Sequence, residues 1–236
     1  MNWKGLEVSA NFPAEIVCEE AGTGETCITL TWTKGEYKAP ALNVTWAVPL
    51  VDIQYEWYPL CGRDRALRTD WDAPIHTSFS TGAPVFCFYN EEGQNRLTIA
   101  LSEVRLEALH SYGVHEEDGT LLCCLKLPLP MTGSAERYSV TLLRLRENMR
   151  YEAALRQVAA WWERVSDTHP MPVPTAARLP MYSTWYSFHQ ETVAADLEAA
   201  CVLAAQDGFR TVIVDDGWQT SDCTRGYGYC GDWQPA

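Results

Sequence analysis

Residues 180–216 run through strand, helix and strand patterns in immediate succession, and few folds accept that order. PMYSTWYSF (180–188) has the apolar and aromatic character of a buried strand. TVAADLEAACVLAAQDG (192–208) brings Val193, Leu197, Ala200, Cys201 and Ala204 onto one helical face. Thr192 is placed to cap the start of that helix, and Gly208 to end it in the left-handed conformation. FRTVIVDD (209–216) then shows no polar alternation, as in a strand buried on both faces. Strand, helix and strand at this spacing predict a right-handed βαβ unit of a parallel sheet.

The residues before it follow a different rhythm. TCITLTW (26–32), LNVTWAVPLV (42–51), PVFCFYN (84–90), NRLTIALSEV (95–104), TLLCCLKL (120–127) and YSVTLLRLR (138–146) are β-branched and aromatic runs of strand length. AGTGE, NEEGQ, EEDGT and MTGS supply turn chemistry between them, with NEEGQ and EEDGT as hairpin tips. Many short strands without an intervening long helix predict an antiparallel β-sandwich over residues 1–147. NMRYEAALRQVAAWWERV (148–165) predicts a helix with Tyr151, Leu155, Val158, Trp162 and Val165 on its apolar face. SDTHPMPVPTAARLP (166–180) holds four prolines and reads as a stiff connector, so residues 148–179 form the boundary and 180–236 a second domain.

The second strand ends in two adjacent carboxylates, Asp215 and Asp216, and ligands of parallel α/β folds sit at the carboxyl ends of strands. Successive strand side chains point to opposite faces, so both acids reach one cavity only if the backbone bends, and Gly217 permits that bend. Taken alone, the pair fits either a ligand site or an Asp that caps the loop through backbone N–H groups. Trp185, Trp218 and the Asp232–Trp233 pair cluster around it in sequence. Carboxylates that accept from hydroxyls, beside indoles that cover C–H faces, suit a sugar.

Composition narrows the classes. A net charge of -13 opposes nucleic acid and anionic membranes as partners. No apolar run is long enough to span a bilayer, and the N-terminal residues carry no apolar signal region, so a cytoplasmic protein is expected. Nine irregularly spaced cysteines, with no CxxC pair, predict reduced thiols, with neither a disulfide framework nor a zinc site. His76, His110, His115 and His169 lack ligand spacing and are expected at the surface or satisfied in the core; His189 faces either substrate or solvent. Arg63, Asp64, Arg65, Asp70, Trp71 and Asp72 are expected to form a surface salt-bridge cluster.

PMYSTWYSF, the following helix, GFRTVIVDDGWQ and YGYCGDW together resemble the opening of the catalytic barrel of glycoside hydrolase family 36, the α-galactosidases and raffinose-synthase-like transglycosylases. DRALRTDW (64–71) and STGAPVFCFYNEEGQNRLTIALS (80–102) resemble parts of the sandwich that precedes that barrel. The resemblance implies an N-terminal β-sandwich (supersandwich) followed by the first βαβ part of a (β/α)8 TIM barrel. It implies that Asp215 and Asp216 bind the C4 and C6 hydroxyls of a terminal galactose, that Trp185 walls that subsite, and that Trp218, Asp232 and Trp233 shape its rim. It implies no cofactor, no metal, an α-galactoside oligosaccharide as ligand, and a possible homo-oligomer through the sandwich.

Retaining chemistry needs two carboxyl groups roughly 5 Å apart. In the family the nucleophile stands in a Lys-x-Asp motif, and no lysine occurs after residue 180. The expectation is therefore the N-terminal part of a truncated retaining α-galactosidase-like enzyme, with nucleophile and acid/base beyond residue 236 and none assigned here. Galactosyl transfer in the manner of raffinose synthase, and a non-catalytic sugar-binding protein, are the alternatives.

Overall fold

The computed structural model of the chain describes residues 1–129, 136–166, 169–222, 224, 226 and 235. The chain divides into two compact units, Met1–His169 and Pro170–Ala236.

In chain order the first unit contains β1 (Asn2–Trp3), β2 (Leu6–Ala10), β3 (Glu15–Gly22), β4 (Glu25–Thr31), β5 (Ala41–Pro49) and β6 (Tyr55–Trp57). It continues with β7 (Ile75–Thr77), β8 (Val85–Tyr89), β9 (Asn95–Leu101), β10 (Ala108–His115), β11 (Thr120–Pro128), β12 (Arg137–Leu145) and the helix α1 (Tyr151–Val165). The strands form two six-stranded antiparallel sheets, ordered β1-β2-β5-β11-β10-β7 and β3-β4-β12-β9-β8-β6. This is the β-sandwich that the strand runs predict, and each of the six runs named above is a strand. NEEGQ and EEDGT turn the β8–β9 and β10–β11 hairpins. MTGS lies outside the described residues.

Alternation decides which side chains fill the interior. In β5 and β11 every second residue is buried, so Leu42, Val44 and Trp46 join Leu121, Cys123 and Leu125 in the core. The adjacent Cys124 points the other way and is half-buried. β8 and β9 do not alternate, because both of their faces are covered. Phe86, Phe88, Leu97 and Ile99 face the sandwich interior, whereas Val85 and Ala100 pack with Ala154, Val158 and Trp161 of α1. The helix therefore belongs to the first unit. Its buried stripe is Ala154, Val158 and Trp161, turned from the predicted face, and Val165 is exposed. Trp162 stays half-buried because its indole N–H donates to the Leu101 carbonyl at 2.7 Å.

A titratable side chain, His110, is buried within this core. His110 on β10 contacts Thr77 Oγ1 at 2.9 Å and the Tyr112 hydroxyl at 2.8 Å, and stacks near Phe86. Burial, helped by the charge of Arg68, pushes its pKa down to about 3, so it is a satisfied neutral core residue. A depressed folded pKa contributes stability above the ordinary histidine value, and that stability is lost as pH falls through the window from 6.5 to about 3. Chemical denaturation across that window should show this acid-side slope, and His110→Gln should lose it.

The charged loop before β7 does not form the predicted salt-bridge cluster among its own members. Asp64 and Asp72 instead accept backbone N–H bonds from Ala66 and Thr69, capping turns. Asp70 pairs with His115 at 2.6 Å. Arg68 turns inward onto Glu56 at 2.8 Å, a side chain only 2% exposed.

The second unit contains a 3-10 turn (Thr175–Arg178), β13 (Met181–Ser183), the one-turn helix α2 (Trp185–Phe188), α3 (Ala194–Gln206) and β14 (Thr211–Ile213). β13 and β14 pair in parallel, with Tyr182 opposite Val212, so the predicted strand–helix–strand order holds. Three details differ from the sequence reading. The run 180–188 is not one strand: it turns at Thr184, whose N–H reaches the Ile213 carbonyl, and Trp185 sits on α2. Val193, not Thr192, occupies the N-cap position of α3, and the Thr192 hydroxyl oxygen is buried without a hydrogen bond. β14 is not buried on both faces, since Ile213 and Val214 are each more than 40% exposed. Gly208 does end α3 with a positive φ of 91°. No helix of the described residues is long and apolar enough to cross a membrane.

Candidate functional site

Asp215 and Asp216 follow β14 with Val214 between, at the carboxyl end of the parallel pair. Thr184, fully buried at the end of β13, accepts the Asp215 N–H through Oγ1 at 2.9 Å. The backbone then turns sharply. Asp216 N–H donates to Asp215 Oδ1 at 2.8 Å, so Asp215 caps the turn that carries its neighbour. Gly217 adopts a φ of 111°, the bend that the sequence requires of it.

Asp216 is held from two loops. Gln190, after α2, donates to Oδ2 at 2.8 Å, and Gln219 donates to Oδ1 at 2.6 Å. Gln219 is itself buried, and its Oε1 accepts the Gly217 N–H at 3.0 Å. The two acids thus differ: one capping, one gripped by amides. Sequence reading missed Thr184, Gln190 and Gln219. Their only signal was position: Thr184 is a polar residue inside the apolar run 180–188, Gln190 stands two residues after it, and Gln219 directly follows the Asp-Asp-Gly-Trp turn.

An open hollow of about 470 Å³ lies beside this turn, lined by Gln190, Glu191, Thr192 and the start of α3 on one side. Gly217, Trp218, Thr220 and Ser221 line the other. Trp218 and Gln190 therefore belong to the hollow, whereas Trp185, Asp215 and Asp216 are not among its lining residues. Trp185 is half-buried and meets His189 edge-on at 5.4 Å; His189 is exposed and has a φ of 50°. Asp232 and Trp233 lie outside the described residues.

No protein-family model matches this chain, and no curated protein matches it. No group of three or more His, Cys, Asp or Glu side chains among the described residues could hold a metal ion. The polar set at the turn consists of two carboxylates, two amides and hydroxyls. It can exchange hydrogen bonds with a neutral polyol, and an indole at the rim can cover apolar C–H groups.

Proposed function

We propose that the chain is the N-terminal part of a retaining α-galactosidase-like glycoside hydrolase, its 236 residues carrying part of the galactose subsite and neither catalytic carboxyl group. The observation that carries this reading is a carboxylate pair at the carboxyl end of a parallel strand pair, beside a hollow rimmed by Trp218. The β-sandwich ahead of that βαβ unit supports it, being the order that the family resemblance implies. So does the exposed apolar surface of Met181, Ile213 and Val214, since further strands and helices of a (β/α)8 barrel would cover such a parallel sheet. On this reading Asp215 and Asp216 accept from galactose hydroxyls, and the epimeric hexose leaves an acceptor without its donor. Trp185, Trp218, Asp232 and Trp233 contribute the walls and rim. The unpaired thiols of the described cysteines support a cytoplasmic location.

Calorimetric titration of the chain with galactose and glucose tests the assignment. Galactose should bind in preference, and Asp216→Asn should weaken it about ten- to hundredfold, or ~1.5–3 kcal/mol. Asp215→Asn should reduce selectivity. Aryl α-galactosides should bind without turnover; robust hydrolysis by this chain would overturn the assignment of the two acids to binding.

A further inference from the structure

Asp216 is more constrained than a ligand-binding carboxylate has to be. Its two oxygens receive amide donors from different loops, Gln190 Nε2 at 2.8 Å and Gln219 Nε2 at 2.6 Å. The Gln219 amide has only one workable orientation. Its Oε1 accepts the Gly217 N–H, so its donor end must face Asp216. Gly217 in turn presses against the other loop: a Cβ there would stand 2.4 Å from the Gln190 carbonyl oxygen. The glycine, the two amides and the carboxylate are linked across the chain ends of β13 and β14.

We infer that Gln190 and Gln219 are positioning residues, which fix the Asp216 carboxylate in the orientation that ligand hydroxyls meet. An ionised carboxylate offers about four acceptor sites, so amide donors and sugar hydroxyls can share it. A carboxylate locked before binding loses less side-chain freedom when the ligand arrives. This inference rests on the galactose reading of the site and adds the residues that act through Asp216.

The test uses the 236-residue chain with 15N-labelled glutamine side chains, alongside galactose calorimetry from mildly acidic to neutral pH. The Gln190 and Gln219 side-chain amide resonances should lie away from those of solvent-exposed glutamine, and Asp216→Asn should move both. Gln190→Met, similar in length but without donors, should weaken galactose binding about tenfold. Gln190→Glu, equal in shape, puts a second carboxyl against Asp216; its binding should fail at neutral pH and recover towards acid pH as the pair takes up a proton. Asp215, Glu191 and His189 lie on the same two loops, so the variant profile is read against that of the parent chain. A purely structural role would lower the melting temperature and leave the shape of that profile as in the parent. Variants that bind galactose as the parent does would overturn the positioning role. A parent chain that shows the amide signature but binds no galactose would instead sink the galactose reading, and this inference with it.

Discussion

Arg68→Ala should cost the sandwich about 3–5 kcal/mol, because it leaves a buried carboxylate without its cation. Glu56 is 1% exposed, and the Arg68 side chain, whose Nε meets it at 2.8 Å, is itself only 15% exposed. Burial already pushes the Glu56 pKa up, and the Arg68 charge and hydrogen bond hold it partly back. Arg68 also lies over the rings of Tyr58 at 5.4 Å and Phe86 at 6.0 Å, so its removal strips packing as well as charge. The pH dependence identifies the cause. A raised carboxyl pKa contributes stability that is fully present below the ordinary glutamate value and is lost as pH rises through the folded value. Without Arg68 the folded value rises further, so the deficit measured by urea denaturation should be largest at neutral pH and shrink towards acid pH. The double variant Glu56→Leu/Arg68→Met should recover most of the loss, since a well-packed apolar pair often replaces a buried ion pair at little cost. A deficit that stays constant with pH, or a double variant no better than the single, would mean that ring packing alone sets the effect.

Nothing in the sequence marked Glu56 and Arg68 as partners; Arg68 stands in a run of charges that looks solvated. The general limit is that local pattern reports burial period, not which long-range neighbour arrives. β5, β11 and β12 were legible because their alternation matches a half-covered sheet. β3 was missed because it is an edge strand: its glutamates face water and hide the β-branched residues between them. β10 was missed because a buried histidine interrupts its apolar face, Ala108, His110 and Tyr112. The α1 face was misjudged because Trp161 and Trp162 are adjacent, and either could lead the stripe. At the candidate site, the Asp-Asp-Gly-Trp turn was visible by composition. The amide grip on Asp216 was not, because it joins residues 26 apart through side chains with no characteristic spacing.

Gly217→Ala should destabilise the second unit more than the same change at its other described glycines, Gly208 and Gly226, and Gly208→Ala supplies the control. Both glycines have positive φ, 111° and 91°, where an L-residue is strained by about 1–3 kcal/mol. They differ in space. A Cβ at Gly208 meets nothing within 4 Å, whereas at Gly217 it meets the Gln190 carbonyl oxygen at 2.4 Å and two further Gln190 backbone atoms at 2.8 Å. Those are backbone atoms, which cannot swing aside as a flexible side chain can, so the two loops must separate. Separation breaks the Gly217 N–H bond to Gln219 and draws Gln190 away from Asp216. Gly208→Ala should therefore show strain alone, with hydrogen exchange slightly faster at the end of α3. Gly217→Ala should add a further ~1–3 kcal/mol of overpacking, exchange faster throughout β13 and β14, and lose galactose binding even though every polar side chain is retained. Equal effects from the two substitutions would show that backbone strain, not the contact between the loops, is what Gly217 relieves. The carboxylate would then owe its orientation to the amides alone.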